Sequence, residues 1–277
     1  MTSRKTDPLY FIGACILYAL LAVFLFLSAY QLQHWDSDIF WALKSGELIF
    51  RDLSVPATDP FSYTFASARW IDFTWGFQAI SHLFYEYMGG WTGLFVLQLL
   101  VTCGAFVFVF LNIRRNAPGL KWLAPALLFL VYAAAHSRLF IRPHLFEFFF
   151  VSLYLYLLGL HESTGRARYI YALFPLQALW INIHSSSILG LFIVGAYALG
   201  SAIDGFRGKG LRDSITVAKS SWRLIIVAAL LPVASLLNPY GYKLLVWPLI
   251  HQGNANADAL RHIGEWGRIG FRELFFF

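Results

Sequence analysis

The stretch WTGLFVLQLLVTCGAFVFVFLNI, residues 91–113, contains no charged residue and is followed directly by the pair Arg114-Arg115. A helix that crosses the hydrocarbon core of a membrane needs about 20 mostly apolar residues, because every backbone polar group must be satisfied inside the helix. The stretch therefore predicts a membrane-spanning helix with a basic end.

Similar apolar blocks, separated by short basic loops, run along the rest of the chain. Apolar residues make up 58% of the 277 residues and charged residues only 13%, which is more apolar surface than a soluble domain of this size can bury. We predict an all-α, polytopic transmembrane helical bundle with about seven spans and the start of an eighth at Leu274–Phe277. The seven spans cover residues 9–31, 91–113, 121–136, 145–160, 169–184, 187–203 and 222–238.

The basic residues orient this bundle, since Lys and Arg are enriched in cytoplasmic loops. Arg4 and Lys5 precede the first span, and Arg114 and Arg115 follow the second. We predict an integral protein of the inner (plasma) membrane with its N-terminus in the cytoplasm and the segment after Asn238 outside. The net charge of +6 then reflects topology, and we expect the lipid bilayer as a partner and no nucleic acid.

Residues 34–90 form the first extracytoplasmic loop of the predicted module, which is a single unit over residues 1–277. A short helix is predicted over about 38–50, and Pro56 and Pro60 prevent it from continuing. A second helix over about 75–88 is amphipathic, with Gln78 and Ser81 on its polar face, and we expect it to lie flat at the membrane interface. The loop therefore contains two interfacial helices.

Acidic side chains follow the first span, in the sequence His34-Trp35-Asp36-Ser37-Asp38. Ionisable groups are costly in a membrane protein and are functional candidates for that reason. Two carboxylates one residue apart can bind a divalent cation such as Mg²⁺ or Mn²⁺, or one can act as a general base that the other orients. Asp36 or Asp38 can equally cap the following helix.

A second acidic position is Asp72, in the sequence Arg69-Trp70-Ile71-Asp72-Phe73-Thr74-Trp75. Asp72 begins the amphipathic helix, so it is either a second functional carboxylate or simply the cap of that helix. Trp70 and Trp75 can stack on a sugar ring or anchor the chain at the membrane interface.

Arg138, Arg142 and His144 directly precede the fourth span, and Glu147 lies at its start. The planar donor fork of Arg142 can hold a phosphate, or Arg142 can pair with Glu147 and merely neutralise it.

Two later helix ends are expected to reach the same outer surface. Asn182 and His184 end the fifth span, and Asn238, Tyr240 and Lys243 end the seventh. A histidine at a helix end can be only a structural hydrogen-bond partner, but all of these ends meet the surface that carries the acidic cluster.

The order of these features resembles the GT-C superfamily of glycosyltransferases, which use polyprenyl-phosphate sugars. Those enzymes have a first helix, an acidic motif directly after it and a large outer loop with two interfacial helices. Shorter motifs resemble those of a large group of bacterial GT-C-like membrane proteins: Asp59-Pro60-Phe61-Ser62-Tyr63-Thr64, Arg142-Pro143, Asn182-Ile183-His184 and Leu237-Asn238-Pro239-Tyr240-Gly241. Members of that group often carry an acid where this chain has Thr74, and they usually continue through further spans, so the resemblance implies a truncated form or a minimal core.

The resemblance implies a glycosyltransferase that moves a sugar from a polyprenyl-phosphate donor to an extracytoplasmic glycan, lipid or protein acceptor. It implies three catalytic carboxylates, Asp36, Asp38 and Asp72, and three cations at the donor phosphate, Arg138, Arg142 and Lys243. The residues expected to line the substrate are His34, Trp70, Trp75, His144, Glu147, Asn182, His184, Asn238 and Tyr240. The alternative is a non-catalytic subunit, or a transporter or flippase, for a lipid-linked sugar or an envelope polysaccharide assembly; the apolar centres of the spans disfavour transport.

Overall fold

The computed structural model describes residues 37–64, 68–118, 123–207 and 211–246. Within these residues the fold is helical, with a single isolated antiparallel bridge between Thr58 and Arg69. The predicted first span, His34, Asp36 and the apolar segment Leu274–Phe277 lie outside the described residues.

Nine α-helices and two 3-10 turns follow one another in the described part of the chain. The helices are α1 (Asp38–Asp52), α2 (Trp75–Tyr87), α3 (Trp91–Asn116), α4 (Ala124–Ala135), α5 (Leu145–Thr164), α6 (Arg168–Tyr171), α7 (Leu173–Ile183), α8 (Ile188–Arg207) and α9 (Leu211–Ala234), with 3-10 turns at His136–Arg138 and Ser185–Ser187. The two helices predicted for the first extracytoplasmic loop are α1 and α2.

Three segments in the described residues are long and apolar enough to cross a membrane: Trp91–Asn116, Leu145–Thr164 and Ser185–Ile203. Two other predicted spans, residues 121–136 and 222–238, correspond to the shorter apolar helices Ala124–Ala135 and Trp222–Ala234, and the first span lies outside the described residues. At 1.5 Å per residue, the 12 residues of α4 extend about 18 Å, which is less than the thickness of the hydrocarbon core. The helical, membrane-spanning character of the chain is therefore supported, whereas the count of seven spans stays a prediction.

The predicted fifth span, residues 169–184, is divided between α6 and α7. Pro175 has no N–H, so the carbonyl group of Tyr171 loses the hydrogen bond that would continue one helix through Ala172. At the other end, His184 has an extended backbone (φ −157°, ψ 143°), which stops α7 before the 3-10 turn that leads into α8. The span is thus shorter and more interrupted than its apolar sequence predicts.

Large apolar side chains are exposed on α3, α4, α8 and α9. Among them, Leu100, Leu130, Phe192, Leu199 and Val233 are each more than half exposed. An extended exposed apolar surface marks a contact with lipid or with another apolar surface, and here it lies on the helices that include two of the three candidate spans. These side chains are therefore placed to face the bilayer.

The buried interior is built around Trp180 of α7. Its indole stacks on Phe150 of α5, with ring centroids 5.0 Å apart, and meets the edge of Tyr154 at 5.3 Å. Tyr154 donates a hydrogen bond to Gln177 (2.9 Å), and the Gln177 amide donates to the hydroxyl of Ser235, the residue directly after α9 (3.0 Å). This buried polar group in the fifth predicted span is therefore bonded to its neighbours and joins three helices.

The first half of α2 is buried on both faces, so that Gln78 and Ser81 of the predicted polar face are turned inward together with Phe77 of the apolar face, whereas Glu86 of the polar face is exposed. Gln78 and Ser81 are completely buried, whereas Leu83 is 37% and Tyr87 79% exposed. The reason is that α1 packs closely on the predicted polar face: at Gly46 a side chain would collide with the backbone of α2. The amphipathic pattern predicted the helix correctly, but not which neighbour covers it.

Candidate functional site

Most of the predicted site residues in the described part of the chain meet at one end of the bundle, which we call the polar end. It is defined by Asp38, Asp72, Arg142, Glu147 and His184. Helices α1, α2 and α5 begin there, and α7 ends there. Residues that are far apart in sequence are thus brought into one region, as the topology predicted.

Asp38 and Arg142 form an ion pair across the polar end. The Arg142 Nη2 atom lies 3.2 Å from Asp38 Oδ2, and the two side chains are 17% and 59% exposed, respectively. The Arg142 guanidinium also lies over the ring of Phe140, 5.1 Å from its centroid. The sequence offered Glu147 as a partner for Arg142, and the structure shows that the carboxylate of the acidic motif is one. The Asp38 carboxylate and the Arg142 guanidinium are therefore adjacent.

The segment from Arg138 to Arg142 is fixed by a hydrogen bond from α3. Gln98, which is 4% exposed, donates a hydrogen bond of 2.8 Å to the carbonyl oxygen of Leu139. In addition, a ring nitrogen of His144 lies 2.9 Å from the carbonyl oxygen of Arg138. Arg138 itself is exposed. The two neighbouring carbonyl groups of Arg138 and Leu139, at the start of the predicted phosphate-binding segment, are thus anchored.

Asp72 is buried, with 3% of the residue exposed. Its Oδ1 atom accepts hydrogen bonds from the Thr74 backbone N–H (3.1 Å), the Thr74 hydroxyl (3.3 Å) and the Gln78 amide (3.0 Å). Oδ2 has no hydrogen-bond partner among the described residues. The Trp70 side chain weakly lowers the pKa of the Asp72 carboxyl. Asp72 therefore organises the start of α2 from two residues before its N-cap, Thr74.

Burial raises the pKa of the Asp72 carboxyl above 3.8, even though hydrogen bonds from Thr74 and Gln78 oppose the shift. Because the folded state binds this proton more tightly than the unfolded state, the stability contributed is complete below about pH 4 and is lost as the pH rises through the raised pKa. We expect Asp72→Asn to remove this decrease in stability with rising pH. Unfolding in detergent at pH 4.5 and pH 8 measures it, with Asp52→Asn, an exposed residue, as the control; an unchanged pH dependence in Asp72→Asn would contradict it.

Asn182 and Trp75 make structural contacts with each other. The Trp75 indole donates a hydrogen bond of 2.8 Å to Asn182 Oδ1. The Asn182 amide donates to the carbonyl groups of Ala178 (2.6 Å) and Leu237 (2.8 Å). Asn182 therefore ties α2, α7 and the end of α9 together, and all of its hydrogen-bonding atoms are used.

Asn238 is likewise engaged in its own turn. Its amide donates to the carbonyl oxygens of Ser235 (2.7 Å) and Gly241 (2.9 Å), and its Oδ1 accepts from the Tyr240 N–H (2.7 Å). The turn positions the Tyr240 hydroxyl as acceptor of the Asp72 N–H at 3.1 Å. The motif thus returns the end of α9 to the first loop.

His184 and Glu147 meet at Ser186, a residue that the sequence did not single out. The Ser186 hydroxyl lies 2.7 Å from His184 Nδ1 and accepts a hydrogen bond of 3.2 Å from the Trp180 indole. The Glu147 carboxyl lies close to the same hydroxyl. The only sequence signal was the run of three serines directly after His184 at the helix break.

An apolar cavity of about 490 Å³ extends from the polar end into the bundle, between α3, α4 and α5. Leu139 and Glu147 line it at the polar end, and Ile113 and Leu155 at the other. From Glu147 to Leu155 the cavity extends about 12 Å along α5. Val131, which also lines it, is 42% exposed, so the cavity opens sideways between helices.

Two further predicted site residues, Lys243 and Trp70, contribute little to these contacts. The Lys243 side chain makes no hydrogen bond or ion pair within the described part of the chain, and Trp70 instead packs edge-on against Trp41, with centroids 6.4 Å apart. No group of three metal-ligating side chains occurs in residues 37–64, 68–118, 123–207 and 211–246. Since Asp36 lies outside them, a cation on Asp36 and Asp38 stays a prediction.

Comparison of the chain with models of protein families, with characterised proteins and with solved structures found no match.

Proposed function

We propose that this chain is a membrane glycosyltransferase that moves a sugar from a polyprenyl-phosphate donor to an extracytoplasmic acceptor. The observation that carries the proposal is the Asp38–Arg142 ion pair at the polar end, close in the chain to Leu139, which lines the sideways-open apolar cavity. A lipid phosphate needs a cation for its head and an apolar slot for its chain, and these two features occur together here.

In the proposed reaction, the Asp38 carboxylate takes the proton from an acceptor hydroxyl or amide group. The acceptor atom forms a bond to the anomeric carbon of the donor sugar, and the bond from that carbon to the phosphate oxygen breaks. The electron pair stays on the phosphate, where the Arg142 guanidinium, with Arg138 nearby in the chain, stabilises the negative charge. A single displacement of this kind inverts the anomeric centre.

Asp72 has a supporting role in this proposal. Its carboxyl is buried and holds Thr74 and Gln78, so it shapes the polar end, whereas Asp38 is 59% exposed and accessible to an acceptor. The alternative of a transporter receives less support, because Gln177, a polar group inside the bundle, has its hydrogen-bonding atoms taken up by Tyr154, Ser187 and Ser235.

The test is turnover of polyprenyl-phosphate sugars by the purified full chain in lipid nanodiscs, measured as released polyprenyl phosphate. We expect release by the wild type and weaker donor binding by Val131→Trp, whose indole would fill the cavity from its open side. Val107→Trp is the matched control, because Val107 is also exposed (52%) on an apolar helix but lies outside the cavity. If the wild type binds no donor from a broad panel of sugars, or if the two tryptophan variants bind equally well, the proposal is wrong.

A further inference from the structure

Ser186 occupies a position between two ionisable side chains at the polar end. Its backbone N–H donates a hydrogen bond of 3.2 Å to His184 Nδ1, and its hydroxyl oxygen lies 2.7 Å from the same nitrogen. The hydroxyl group is also in contact with the Glu147 carboxyl and with the Trp180 indole. The backbone N–H and the hydroxyl oxygen of Ser186 therefore both lie within hydrogen-bonding distance of one ring nitrogen.

This geometry determines where the neutral imidazole carries its proton. A backbone N–H is always a donor, so the nitrogen that it points to must present its lone pair. Nδ1 of His184 is therefore the acceptor, and the proton of the neutral ring is on Nε2, since the tautomer is set by the hydrogen bond that the other nitrogen makes. The His184 ring consequently offers a fixed N–H donor on the edge opposite Ser186.

That donor lies next to the cationic segment of the polar end. His144, from the loop that carries Arg138 and Arg142, is close enough to His184 to interact with it electrostatically. No hydrogen bond from His184 Nε2 to any described residue is present, in contrast to Asn182 and Asn238, which use all of their polar atoms on structural contacts. Among the described residues, the His184 Nε2–H group is thus not used for a structural hydrogen bond.

We propose that Ser186 is a positioning residue that holds His184 as an Nε2–H donor to an anionic oxygen of the lipid phosphate. The Trp180 indole donates a hydrogen bond to the Ser186 hydroxyl from the bundle interior, and the Glu147 carboxyl lies close to the same hydroxyl. The inference rests on the proposed function for the identity of the ligand, whereas the tautomer of His184 follows from the contacts of Ser186 alone.

The tautomer is measured by nitrogen NMR on the full chain with ¹⁵N-labelled histidine, in nanodiscs at pH 8. For the wild type we expect the His184 signals of a ring protonated on Nε2. Ser186→Ala keeps the backbone N–H, so its ring should stay protonated on Nε2, but loss of the 2.7 Å contact with the hydroxyl should shift the Nδ1 resonance; Ser186→Thr, which keeps a hydroxyl, should show the wild-type Nδ1 signal. Ser185→Ala is the matched control, since the His184 ring makes its hydrogen bonds to Ser186 and not to the Ser185 hydroxyl. A wild-type ring protonated on Nδ1, or an unchanged Nδ1 resonance in Ser186→Ala, overturns the proposal.

Binding of a short-chain polyprenyl phosphate tests the ligand. Loss of one hydrogen bond to a charged oxygen weakens binding roughly ten- to a hundredfold, and we expect this in His184→Asn. His184→Gln should bind much more tightly than His184→Asn, because a glutamine amide reaches the position of Nε2 and an asparagine amide does not. Equal affinities for these two variants would overturn the assignment. Failure of the wild type to bind would refute the proposed function, while the NMR result would still decide the role of Ser186.

Discussion

Replacing Asp38 with asparagine should lower the turnover of a polyprenyl-phosphate sugar by about 10²- to 10⁴-fold, the usual contribution of a general base. The amide keeps the size of the side chain but cannot accept the acceptor proton. Since Arg142 remains, binding of the donor should change much less than the rate. Single-turnover measurements with saturating donor separate the two effects.

Two variants distinguish this role from that of a simple surface ion pair. Asp52→Asn is the matched control, because Asp52 lies on the same helix, is 49% exposed and is paired with Arg51; it should leave turnover unchanged. In the exchange Asp38→Arg with Arg142→Asp, an ion pair is retained, but the base and the phosphate-binding cation change places. If the exchanged pair keeps wild-type turnover, Asp38 is not the base.

Gly46→Ala should destabilise the protein by about 2–4 kcal/mol, a large effect for one methyl group. A Cβ atom at this position would collide with the backbone carbonyl of Gln78 and with the Cβ atom of His82, neither of which can rotate away. Helices α1 and α2 would have to separate, which would expose Gln78 and move Asp38 at the start of α1. Unfolding in detergent monitored by tryptophan fluorescence measures the loss.

Gly200→Ala is the control for this variant. Gly200 lies within helix α8, and nothing approaches within 4 Å of a Cβ atom built there. Alanine is favoured over glycine inside a helix by about 1 kcal/mol, so this variant should be as stable as the wild type or slightly more stable. Equal effects of the two substitutions would show that α1 does not pack on α2 as described.

The sequence was sufficient for features that depend on local composition. The long apolar runs predicted α3 and α5, and the prolines and the amphipathic pattern predicted α1 and α2 in the first loop. The interruption of the fifth span also has a local cause, Pro175, although the run of apolar residues around it favoured one continuous helix. What the sequence could not supply was the partner of each face: Gln78 and Ser81 are buried because α1 covers them.

The chemistry of the site was predictable in kind but not in pairing. The acids and cations were identified from residue type and position, yet Asp38 and Arg142 are 104 positions apart, and spacing along the chain does not say which acid meets which cation. Asn182 and Asn238 were predicted to line the substrate, and the structure shows their polar atoms engaged in holding helices and turns. Ser186 was missed because a serine acquires a role only through its neighbours.

The hydrogen bond from the Asp72 N–H to the Tyr240 hydroxyl joins residues 168 positions apart. A ribosome that delivers this chain into a membrane therefore releases the first loop long before its partner exists. Until α9 emerges and its terminal turn forms, two hydrogen bonds cannot form: the one from the Asp72 N–H to Tyr240, and the one from the Asn182 amide to Leu237. The polar end is consequently completed only after α9 and its terminal turn have been made, so that a nascent chain stalled before Tyr240 should lack the hydrogen bond to the Asp72 N–H.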